Sequence, residues 1–152
     1  MPPALPPRIA LGLDFGQRRI GIAVTDTVSQ SPRPLAAVAN DPRGTDWATL
    51  DRLMRQHAPQ VLVLGTPYNE DGTPGRLQAA TDRFAAQLRE RYRLPVDRVD
   101  ERHSSREAGE RLVAERRAGT RRRRIQRADI DNQAAAIILQ RWLAGEGGGT
   151  GG

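Results

Sequence analysis

The stretch IALGLDFGQRRIGIAVTD, residues 9–26, holds two apolar runs joined by a link too short for anything but a tight reversal. Ile9, Leu11 and Leu13 alternate with small residues, and a second run, Ile20 to Val24, follows Gln17, Arg18 and Arg19. This pattern predicts a β-hairpin, with Gly16 free to take backbone angles that other residues resist. The first strand closes on Asp14. A carboxylate at the inner end of a core strand is costly unless something compensates it. Asp14 either closes the turn by accepting backbone N–H bonds or serves a site that supplies the compensation.

The rest of the chain reads as alternating elements. A third strand is expected around 35–38 and a helix over 46–57. The short apolar run at 61–64, ending in Gly65, has the character of a buried strand, and turn residues fill 66–75. Leu77, Ala80, Thr81, Phe84, Leu88 and Tyr92 keep helical spacing, and a last strand spans 95–99. Ser104 and Glu107 have capping-box spacing for a helix lasting to about 117. The final helix is expected from about 130 to 143, with Gly145 ending it. Strands first, then helices alternating with strands, predict an α/β fold in which helices cover a mixed five-stranded sheet.

The chain's 152 residues suit one domain, expected over 8–144, between a proline-rich arm at 1–7 and a glycine-rich tail at 145–152. Cysteine is absent, which excludes disulfides and thiolate metal sites. No apolar stretch approaches a membrane span and no signal-peptide order opens the chain, so a cytoplasmic location is expected.

Charge narrows the partner. Twenty-four basic residues, all arginine, oppose eighteen acidic ones for a formal charge of +6. Guanidinium groups grip phosphate in a forked geometry, and an excess of this size suits nucleic acid. Arg121, Arg122, Arg123 and Arg124, with Arg127, form a run that is either a solvated loop or a phosphate clamp, and Arg18 and Arg19 lie beside Asp14 to assist. With aromatic residues at 4%, base stacking is a minor contributor.

Asp14 ends the first strand, Glu101 follows the last, and Asp131 opens the final helix, and the topology can bring all three to one sheet edge. Singly each has a plain role: a turn, a surface pair with Arg98 or Arg102, a helix N-terminal charge. His57 at a helix end is structural, whereas His103 neighbours Glu101.

Four segments in order, DFGQRRIGIA, VLGTPYNEDGT, VDERHSSREA and IDNQAAAIIL, resemble the RuvX/YqgF family over about residues 8–144. The resemblance implies a ribonuclease H-like fold with strand order 3-2-1-4-5 and a metal-dependent nuclease, with Asp14, Glu101 and Asp131 as catalytic residues and metal ligands. It implies Mg²⁺ or Mn²⁺, hard ions that favour oxygen donors, acting as a pair roughly 4 Å apart. With the last strand two places from the first, Glu101 must span roughly 10 Å, so Asp100 and Asp71 stand as alternates. Asp129 is a weaker alternate to Asp131, because the family pattern sets the acid directly before NQAAA.

The implied substrate is the 5′ end of the small-subunit ribosomal RNA precursor, the alternative being four-way DNA, for which a resolvase needs a homodimer. Rival readings are a non-catalytic nucleic-acid-binding module and an actin-like nucleotide-binding fold, the latter usually needing two such domains. If the basic run neutralises phosphates, replacing Arg121, Arg122, Arg123 and Arg124 with Ala makes the log–log salt dependence of nucleic-acid binding shallower by about 0.7 to 0.9 per lost contact. Binding titrations in EDTA over a salt series check this, and an unchanged slope means the loop is merely solvated.

Overall fold

The computed structural model describes residues 7–67, 71–102, 104–119 and 124–146. The expected roles of Arg121, Arg122, Arg123 and His103 therefore lie outside the described residues, as do most of the arm and tail. Strands β1 (Ile9–Phe15) and β2 (Arg19–Asp26) form the expected antiparallel hairpin, in a register that sets Asp14 opposite Gly21. Next come β3 (Arg33–Pro34), β4 (Val38–Asp41), β5 (Gly44–Thr45) and helix α1 (Trp47–His57). Then follow β6 (Val61–Thr66), α2 (Gln78–Tyr92), β7 (Val96–Asp100), α3 (Ser104–Arg117) and α4 (Arg127–Arg141). The sheet runs β5-β4-β2-β1-β6-β7, with β3 also on β2. β6 is parallel to β1 and β7 is parallel to β6. The sheet thus has seven strands where five were expected, because the edge beyond β2 is broken into short pieces, and its main strands β4-β2-β1-β6-β7 keep the expected order 3-2-1-4-5.

The third strand departs from expectation. It is split into β3 and β4, which pair with different stretches of β2. Pro32 and Pro34 bring no N–H to a ladder, so the edge breaks here. Leu35 N–H still reaches the Ile22 carbonyl at 2.8 Å. The Ile22 N–H is taken by the Asn132 side chain of α4 at 3.0 Å. A helix side chain thereby repairs the sheet and pins the start of α4 to β2.

Side-chain alternation divides the core. Leu11, Leu13, Ile20, Ile22, Leu62 and Leu64 face α1 and α2, where Leu50, Phe84 and Leu88 are buried. Ala10, Ala23, Val61, Val63 and Val99 face α4, meeting Ala135, Ile138, Leu139 and Trp142. α3 covers the outer side of α4 through Ala108, Ala134 and Ile137. Held between a sheet and a helix, α4 is buried continuously from Asn132 to Leu139, which explains its unbroken apolar run.

α4 begins earlier than expected. Gln126 N–H donates to the Asp129 carboxylate at 2.8 Å, a capping box that starts the helix at Arg127. Asp129 therefore supplies the N-terminal charge, and Asp131 lies a turn inside. The last turn, Trp142–Glu146, ends where Gly145 takes a φ of 110°. The capping role of Ser104 rests on a side chain outside the described residues, while Glu107 pairs with Arg141 of α4 at 2.7 Å.

Glycines admit α4 to the sheet. A Cβ on Gly12 would lie 2.6 Å from Leu139 Cγ, and one on Gly21 would lie 2.0 Å from the Asp131 carbonyl oxygen. The second clash is with backbone, which has no rotamer to give. We expect Gly21→Ala to destabilise by about 3 kcal/mol, the upper end for overpacking. Gly109, in α3, has nothing within 4 Å of such a Cβ, so Gly109→Ala is expected to gain up to about 1 kcal/mol. Denaturant unfolding of the two variants checks the contrast.

Candidate active site

The C-terminal edge of β1, β6 and β7 brings the three acids together through parity and glycine. Asp14 shares the α4 side of β1 with Ala10 and Gly12, because alternate residues share a face. Its partner Gly21 abuts Asp131 of α4, so the helix sets Asp131 over β2, the strand beside the one that carries Asp14. Glu101 follows β7, its N–H bonded to the Thr66 carbonyl at 3.1 Å. Between it and Asp14 lies β6, where Gly65 presents no side chain: a Cβ there would sit 2.7 Å from Glu101 Oε2. Gly65 is the opening through which Glu101 crosses the intervening strand. Its sequence signal was a glycine between Leu64 and Thr66, which reads equally well as a strand end.

Asp14 and Glu101 meet in a side-chain hydrogen bond. Two carboxylates can bond only if they share a proton. Burial, the Glu101 contact and the charges of Glu101 and Asp131 hold the Asp14 carboxyl well above its ordinary range. Burial also raises Glu101, with Asp100 adding to the rise while the Asp14 contact, Arg98 and Arg141 oppose it. Both acids are half-buried, with a side open to solvent.

Asp131 is held differently. Its Oδ2 accepts from Arg19 Nε at 2.8 Å, with the two side chains 24% and 32% exposed. Such an accessible pair is worth under about 1 kcal/mol and opens readily. Arg19, expected to contact nucleic acid, is thus turned onto the third carboxylate. Among the described residues no three acids or histidines form a ready-made metal cage.

The alternates fall away from this cluster. Asp100 lies on the opposite face of β7 from Glu101 and accepts from Arg102 Nε at 2.8 Å. Asp71 is exposed and bonds the N–H and hydroxyl of Thr73 at 2.9 and 2.6 Å. His57 closes α1 away from the edge. Arg18, Arg124 and Arg127 are exposed, the last opening α4 one turn before Asp131. Asn132 and Arg141 were not expected at the site. Arg141 bonds the Asp100 carbonyl at 2.8 Å, fastening the end of β7 to α4.

A family model described as "RuvX: Holliday junction resolvase" matches residues 8–145. The chain belongs to the RuvX family. Relatives named "Putative pre-16S rRNA nuclease" include one from Xanthomonas axonopodis pv. citri, 44% identical over 139 residues, covering 91% of this chain and 89% of the relative. Another, from Xylella fastidiosa, is 46% identical over 140 residues with the same coverage. The structure of Thermus thermophilus RuvC aligns with a TM-score of 0.51 at 14% identity, over 92% of this chain and 96% of that one, a likeness of fold. This RuvX chain is a nuclease with the ribonuclease H-like architecture, and none of its described helices is long and apolar enough to cross a membrane.

The shared proton has a thermodynamic consequence. Asp14 and Glu101 bind protons more tightly folded than unfolded, from ordinary values of 3.8 and 4.5. Their contribution to stability is complete below those values and is lost as pH rises through the raised folded ones. Asp51, lowered to about 2 chiefly by Arg91, has the opposite sign and is common to wild type and variant. In EDTA, Asp14→Asn is therefore expected to gain in melting temperature relative to wild type as pH climbs above 4.5. Parallel thermal melts across pH check this, and a pH-independent difference between the two proteins contradicts the shared proton.

Proposed function

We propose that this RuvX protein is a divalent-metal-dependent phosphodiesterase whose catalytic residues are Asp14, Glu101 and Asp131, and whose substrate is the precursor of small-subunit ribosomal RNA. The observation that carries the reading is the convergence on Asp14 of Glu101, which passes over Gly65, and of Asp131, which lies over Gly21, the cross-strand partner of Asp14. Three carboxylates crowded at one edge repel one another and are held together by a shared proton and a borrowed guanidinium. An oxygen-only donor set of this charge fits Mg²⁺ or Mn²⁺. Asp14, Glu101 and Asp131 would hold the ions, which supply an activated water and stabilise the leaving oxygen in an in-line displacement.

The chain's own residues must rearrange to do so. Asp14 and Glu101 give up the proton between them, which neutral pH favours once a cation balances their charge. Asp131 releases Arg19, which then stands beside the site with a free guanidinium able to bind a substrate phosphate. Arg127 opens α4 nearby and, with the adjoining basic run, neutralises the approaching backbone. The substrate is drawn from the names of the relatives, and the family description favours four-way DNA as the second reading.

Asp14→Asn, Glu101→Gln and Asp131→Asn are each expected to lower cleavage by more than about 100-fold, the upper end of what even indirect metal partners cost. Asp100→Asn and Asp71→Asn are expected to stay within about 10-fold. Cleavage of a precursor RNA and of a synthetic four-way junction by one preparation in Mg²⁺ or Mn²⁺ checks both the residues and the substrate. Wild-type rates in Asp14→Asn contradict the assignment.

A further inference from the structure

A groove of about 570 Å³ lies at the same sheet edge as the three acids, on the opposite side of the sheet. Phe15 directly follows Asp14 in β1, and alternation turns its side chain toward α2, where its ring lies 5.0 Å from that of Phe84. Phe15, Pro42, Leu77 and Ala80 supply the apolar lining. Arg18, from the hairpin turn, and Arg83, one turn along α2 from Ala80, supply the charge. Both arginines are exposed, and neither has an ion-pair partner among the described residues.

The other polar groups of the groove are largely committed. Asn40 donates to the Gly16 carbonyl at 2.6 Å and accepts from the Thr45 hydroxyl at 3.0 Å. Asp41 accepts from the Arg43 N–H at 2.7 Å, and its single charge leaves two guanidiniums in excess by one. Gln17 keeps an exposed amide at the rim. Apolar walls with unpaired guanidiniums beside them are complementary to a nucleotide: a base against Phe15 and Ala80, and phosphate at Arg18 and Arg83.

We propose that this groove is a nucleotide subsite, in which one unstacked RNA nucleotide next to the scissile phosphate is held by Arg18, Arg83 and the apolar wall from Phe15 to Ala80. The proposal rests on the nuclease reading and extends it across the sheet edge. Because Asp14 and Phe15 are neighbours on one strand, a substrate crossing that edge meets the acids on one side and the groove on the other. Arg83 then determines which part of the strand is gripped, while contributing nothing to the acid cluster itself.

The test uses the full chain in EDTA, so that binding is read without cleavage, with a short fluorescein-labelled single-stranded RNA followed by anisotropy across a salt series. Arg18→Ala and Arg83→Ala should each make the log–log slope shallower by about 0.7, the value for one lost phosphate contact on a single strand. Arg83→Lys should restore the slope, which separates lost charge from lost fold. Arg52→Ala, an exposed arginine of α1 outside the groove, should leave it unchanged. Ala80→Trp fills the groove without removing charge, and should weaken binding at least about 5-fold at constant slope, the low end for one stacked base. Slopes for Arg18→Ala and Arg83→Ala equal to that of Arg52→Ala overturn the proposal, as does wild-type affinity in Ala80→Trp. Failure of the nuclease reading shows elsewhere, as absence of cleavage by the wild-type protein in Mn²⁺.

Discussion

The approach of α4 to a row of glycines is the contact on which the rest of the molecule rests. Gly12, Gly21 and Gly65 lie on three adjacent strands and share one face. Each removes a side chain where something else must pass: Leu139 over Gly12, the Asp131 backbone over Gly21, and Glu101 and Ile138 over Gly65. The same helix buries its apolar middle against the sheet and carries Asp131 at its open end. Stability and site geometry therefore share one interface. A displacement tolerable in an ordinary core would misplace a carboxylate here. Asn132 adds directional control by bonding the one stretch of β2 that the split third strand leaves uncovered.

The electrostatics follow from that packing. Carboxylates crowded together raise one another's proton affinity, and the fold answers with a shared proton and with Arg19. Elsewhere arginines serve as structural ties: Arg91 to Asp51 between α2 and α1, and Arg141 to Glu107 between α4 and α3. The arginines without such partners have their charge available to an external anion. Strand alternation separates the two tasks, since adjacent residues of β1 send a carboxylate to one face and an aromatic ring to the other.

Much of this was legible along the chain. The hairpin, the buried β6 and the α1 and α2 boundaries follow from local patterning, because apolar periodicity and turn residues act between near neighbours, whereas the order of the main strands came from the family resemblance. The early start of α4 was not, since Gln126 is an unusual cap and Asp129 is the partner that makes it one. Nor was the broken third strand, although Pro32 and Pro34 are its cause.

The residue types at the site were set by sequence alone: three acids in recognisable motifs, a strongly basic chain, and glycines beside them. Only the tertiary structure sets Glu101 beside Asp14 and turns Asp100 toward Arg102, because the outcome depends on which face each side chain leaves and on the gap at Gly65. It alone joined Arg19 to Asp131 across 112 residues of chain, and brought Arg18 and Arg83 to one groove. Local patterns encode elements, whereas a site drawn from residues far apart in sequence exists only once strand register and helix approach set the distances between them.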